Sequence, residues 1–168
     1  MTNEPMCCTT LLVWVFSACS YPHPTPLPEP EQFVVNATMD SVFQASVQEL
    51  VKWNFVITFA DKSAGVITTA RRHVPDGDTL STILYRGTNC GTRPTGPLGV
   101  IDSYWVQVSI ALVTLTDSTA FRISLGTNAS WFDLTENDPD DRLPVTACAS
   151  AGPFERMLAA AIRRRTRI

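Results

Sequence analysis

Apolar and polar positions recur along this chain with two different periods. Between Met39 and Lys52, Val42, Phe43, Val47, Leu50 and Val51 fall at i, i+4, i+5 and i+8 around small Ser46, which predicts an amphipathic helix. Asn36 or Thr38 is placed to cap its start, and Asn54, a residue tolerant of the left-handed conformation, to stop it. From Phe55 the period drops to two: Phe55, Ile57 and Phe59 alternate with Val56, Thr58 and Ala60. Asp61 to Gly65 reads as a turn, and Val66 to Arg72 as the returning strand. The strongest hairpin signal comes later. Val106, Val108, Ile110 and Leu112 mark one face of a long strand from Tyr104 to Thr116; Asp117-Ser118-Thr119 turns it, and Phe121, Ile123 and Leu125 continue the alternation.

Shorter signals fill in the rest. Glu31 to Val35 reads as a strand, and Thr79 to Arg86 as another inside a stretch broken repeatedly by Gly and Pro. Gly152-Pro153 opens a second helix with Phe154, Met157, Leu158 and Ala161 as its core stripe. Its C-terminal end carries Arg163, Arg164, Arg165 and Arg167, where cations oppose the helix dipole favourably. The order strand, helix, strands, helix predicts an α+β fold: an antiparallel sheet of about five strands with two helices packed on one face.

The first thirty residues read differently. Cys7 to Ala18 is an uncharged apolar run of twelve residues, too short for the roughly 20 that span a bilayer as a helix. Such a run ending in small residues is the h-region of a secretory signal. Ser17 and Ala18 stand immediately before Cys19, and the segment resembles a bacterial lipobox, which implies cleavage before Cys19 and its lipidation. An ordinary cut near Ala18 or Ser20, or an uncleaved anchor, are the alternatives. Next come five Pro in the nine residues 22–30, which favour an extended spacer of about 3.1 Å per residue. The organisation expected is therefore a signal peptide at 1–18, a lipid-anchored Pro-rich linker at 19–31 and one domain at 32–168.

Composition narrows the class. Of 168 residues, 45% are apolar and 17% charged, enough for a normal core and too apolar for a disordered chain. The net charge of −3 gives no basic excess for nucleic acid. Of five Cys, the signal removes Cys7 and Cys8 and lipidation uses Cys19, which leaves Cys90 and Cys148 for one disulfide in an oxidising compartment; two unrelated buried thiols are the alternative. With no C-x-x-C or Cys/His cluster, no zinc or other metal site is expected.

Three segments then carry a resemblance: Val42-Phe43-Gln44-Ala45, Leu50 to Phe55 with Asn54 where Gly is usual, and Asp61-Lys-Ser-Ala-Gly65-Val-Ile67-Thr-Thr69. Together, residues 33–72 resemble the BamC-like domains of small bacterial envelope lipoproteins. The resemblance implies a structural domain on the periplasmic face of the outer membrane, with no active site.

The search for chemistry is consistent with that. Of the two His, His23 lies in the linker and His73 follows Arg71-Arg72; no G-x-S-x-G motif accompanies them. The Gly-rich stretch 87–99 lacks the Gly-Lys-Ser/Thr of a phosphate loop. The acidic stretch 133–141 offers oxygen ligands to calcium but lacks the EF-hand Gly and closing Glu, so a solvated loop is the leading reading. The expectation is a non-enzymatic envelope lipoprotein without cofactor, held to the membrane through Cys19, whose domain binds or scaffolds another envelope protein. The alternative is a small secreted or periplasmic hydrolase or ligand-binding protein using the loop at residues 75–102.

Overall fold

The computed structural model describes residues 30–90, 99–133 and 146–167. The expected signal peptide and nearly all of the expected linker lie outside them. The described elements run β1 (Gln32–Val35), α1 (Met39–Lys52), β2 (Ile57–Asp61), β3 (Val66–Thr69), β4 (Arg72–Pro75), α2 (Thr79–Gly87), β5 (Thr88–Asn89), β6 (Gly99–Thr114), β7 (Thr119–Asp133), β8 (Thr146–Ser150) and α3 (Pro153–Arg165). The fold is α+β, with an open antiparallel sheet of eight strands.

The hairpin β6–β7 is its axis. Strands of 16 and 15 residues pair from Gly99↔Asp133 to Thr114↔Thr119, and Leu115 N–H closes the turn onto Ser118 O at 2.8 Å. Each long strand is flanked on its outer edge by two short strands placed end to end. Along β6, β3 pairs residues 109–111 and β4 pairs 103–106. Along β7, β1 pairs residues 119–122 and β8 pairs 127–129; β5 then adds to β8.

Alternation sends Tyr104, Val106, Val108, Ile110 and Leu112 of β6, with Phe121 and Ile123 of β7, to the buried face. There they join Val42, Phe43 and Leu50 of α1 and Phe154, Leu158 and Ile162 of α3 in one core. The capping logic for α1 holds atom by atom. Thr38 accepts from Ser41 N–H at 3.3 Å. At the other end Asn54, at φ 57°, donates to Val51 O at 2.9 Å, and Phe55 N–H reaches Leu50 O at 3.0 Å. These two bonds form a Schellman motif, and Phe55 and Leu50, both buried, supply its apolar contact. Gly65 holds φ 67° in the β2–β3 turn, and any side chain there would run into the Leu112 carbonyl oxygen.

Six expectations are corrected. The sheet has eight strands rather than about five, and there are three helices rather than two. The segment expected as a strand at 79–86 is α2: Asp78 caps it by accepting from Leu80 N–H at 2.8 Å, and Leu80, Leu84 and Gly87 form its buried stripe. Local capping there outweighs the strand preference of Thr, Ile and Tyr. The single strand expected at 66–72 is two strands, because the chain steps away after Thr69; the Thr69 hydroxyl then takes Val108 N–H at 3.0 Å and its carbonyl takes the Gln107 amide at 2.9 Å. A bulge between Ile57 and Phe59 breaks the period-two run, so Phe59 turns outward and is 53% exposed. Finally, two stripe assignments shift: Val51 is exposed, and Ala159 and Ile162, rather than Ala161, complete the buried face of α3.

Candidate functional site

Two surfaces stand out, and neither is the site of a catalytic His. The first is the sheet face opposite the helices. Its middle mixes small and polar side chains: Ser109 pairs with Ser124, Gln107 with Gly126, and Ala111 with Arg122, whose guanidinium donates to Gln32 at 3.2 Å. Larger apolar side chains frame it. Phe59 stands at the β2 edge, Val113 and Val34 at one end, and Trp105 at the other, all at least 40% exposed. His73 is opposite Trp105 in the register, and their rings lie 4.9 Å apart at 47°. Among the described residues no helix packs on this face. A flat antiparallel face with scattered apolar groups is ordinary; here the four small residues Ser109, Ala111, Ser124 and Gly126 leave room for another element to approach at mid-sheet.

The second surface is a cleft of about 330 Å³ between α2 and the start of β6. Thr82, Tyr85 and Arg86 share the solvent side of α2, at the helical spacing i, i+3 and i+4, because Leu80 and Leu84 take the buried side. Across from them a bulge between Ile101 and Ser103 inserts Asp102 as an extra residue and directs it into the cleft wall. Asp76, in the turn after β4, also lines it. Tyr104 forms part of the wall and is only 3% exposed, and its hydroxyl has no hydrogen-bond partner. Burial pushes its phenol above the ordinary 10.0; the nearby Thr88 hydroxyl tempers this without reaching hydrogen-bond geometry, its own proton going to Leu84 O at 2.7 Å.

The helix wall of this cleft is tied down twice. Asp78 bonds Arg72 at 2.6 Å, with both side chains largely covered. At the other end, Cys90 follows β5 and Cys148 sits in β8; their sulfurs stand at bonding distance, 2.03 Å, with Cα atoms 4.0 Å apart. The chain between them closes over 58 residues.

Of the other residues singled out from sequence, Cys19, His23 and the acidic stretch after Asp133 lie outside the described residues, as does most of the Gly-rich stretch. His73 faces the open sheet rather than the cleft. Sequence reasoning missed Tyr85, Tyr104 and Asp102. For Tyr85 the signal was available in the helical spacing of Leu80 and Leu84. For Asp102 it was a carboxylate interrupting a strand pattern, which is where bulges occur. The sequence matches no known protein family, and no curated protein is similar to it.

Proposed function

We propose that this chain is a non-enzymatic lipoprotein of the bacterial envelope, anchored through Cys19 at the periplasmic face of the outer membrane, whose domain binds another envelope protein through its open sheet face. The observation that carries this reading is the face itself: four small residues, Ser109, Ala111, Ser124 and Gly126, among polar neighbours and framed by Phe59, Trp105, Val113 and Val34, with no described helix over it while the opposite side carries the packed core. Four exposed large apolar side chains on one sheet face support its use as an interaction surface. The apolar side of an amphipathic helix fits such a surface as α1 and α3 fit the other face. The BamC-like assignment of residues 33–72 is part of the proposal. Its support is the succession of β1, capped α1, the Asn54 stop, β2, the Asp61–Gly65 turn and β3.

A photo-crosslinking amino acid placed at Ser109 in intact cells tests it. The expected result is one discrete adduct, lost when Trp105→Glu and Phe59→Glu are introduced, and not formed from the same probe at Lys52 on the exposed side of α1. Equal crosslinking from both positions, or none from Ser109, rejects the sheet face as the binding surface.

A further inference from the structure

We propose that the cleft between α2 and the bulged start of β6 binds a short neutral saccharide. A sugar presents two surfaces at once, apolar C–H faces and a rim of hydroxyls. The cleft presents the complement of each. Tyr85 stands 66% exposed at its mouth and offers a flat aromatic surface with few rotatable bonds. Asp76 and Asp102 offer carboxylate oxygens that accept from hydroxyls, and Arg86 offers planar donors. Two carboxylates against one guanidinium leave this lining net negative, which disfavours a phosphate or an acidic sugar and admits a neutral one.

Tyr104 closes the cleft from beneath: the residue is part of the wall, while its hydroxyl is sealed from the opening and lies near Thr88, outside the lining. The volume, about 330 Å³, lies at the small end of ligand sites and accommodates one or two rings. The walls are held in place beforehand by the Arg72–Asp78 bond and the Cys90–Cys148 tie, so little ordering is left to binding. The proposal is of binding alone, with no bond made or broken, and it stands whether or not the sheet face has a partner.

The test is titration of the full-length chain, labelled for amide NMR, with N,N′-diacetylchitobiose, cellobiose and maltose. Contacts this few give dissociation constants near 1 mM, so concentrations up to about 20 mM are used. The expected result is saturable shifts, for at least one of the three, confined to residues 76–86 and 101–104. Tyr85→Ala, on an exposed position, is expected to weaken that binding about tenfold. Tyr104→Phe removes only a sealed hydroxyl and is expected to leave that binding unchanged, which separates the cleft lining from the core behind it. Absence of saturable shifts for all three sugars overturns the proposal. So does a response to glucuronate or calcium chloride alone, or shifts that map to the open sheet face.

Discussion

Asn54 holds a backbone φ of 57°, and the two hydrogen bonds that end α1 both depend on that turn of the chain. Asn54→Gly is expected to change stability by less than about 0.5 kcal/mol, since Gly adopts this conformation freely. Asn54→Val is expected to cost about 1–2 kcal/mol, because a β-branched side chain clashes with its own carbonyl there. Chemical denaturation of the two variants checks the pair. Asp61 acts by charge instead. Its carboxylate takes the Ser63 hydroxyl at 2.6 Å and the Ser63 and Ala64 N–H groups at 2.8 and 3.0 Å. The Ser63 hydroxyl foremost, then the Ala64 N–H, holds its pKa below the ordinary 3.8. A carboxylate with a lowered native pKa stabilises the fold above its unfolded value and loses that contribution as pH falls through the native one. The expectation is therefore an Asp61 carboxyl that titrates below 3.8 by NMR. Asp61→Asn is expected to remove that part of the acid dependence below about pH 4 and leave neutral pH little changed.

At the scale of elements, the phase of α1 is the feature to test. Leu50 is fully buried and Val51, its neighbour, is 56% exposed. Leu50→Ala is expected to cost about 2–5 kcal/mol through lost contacts and a residual cavity, and Val51→Ala less than about 0.5 kcal/mol. Equal losses in thermal denaturation would place the helix in another phase. The same element shows what could be read from sequence. α1, its caps and the β6–β7 hairpin were legible because their signals are local: a spacing, a capping hydroxyl, an alternation. α2 was not, because Thr82, Ile83 and Tyr85 favour strands, and the decisive Asp78 cap also fits a turn. The split between β3 and β4 was hidden for another reason. Thr69 bonds Val108, 39 positions away, and no window of sequence contains both. The cleft combines one element misread with one bulge, so its residues were named as a loop and not as a wall. The open sheet face was hidden in part by the bulge before Phe59, which breaks the expected alternation and turns that side chain outward.

For the molecule as a whole, the proposed lipid on Cys19 and the Cys90–Cys148 bond set the expected behaviour. Cys19→Ala is expected to abolish incorporation of labelled palmitate and to release the domain from the membrane fraction; unchanged fractionation would reject the lipid anchor. Reduction of Cys90–Cys148 is expected to lower the melting temperature. The chain-entropy value for a loop of this length is about 4 kcal/mol as an upper bound, and equal melting with and without reductant would show that the tie adds no stability. Pairing along β7 carries a consequence for biosynthesis. β1 lies near the start of the described chain, yet its partner residues arrive late: Gln32 meets Arg122, 90 positions on. At roughly 5–20 residues per second, a ribosome takes about 5–20 s to deliver that strand. Throughout that interval the nascent first half has an unsealed border and no finished interior. It lacks the partner strands that complete the sheet, which suits passage through the translocation channel that the proposed export requires.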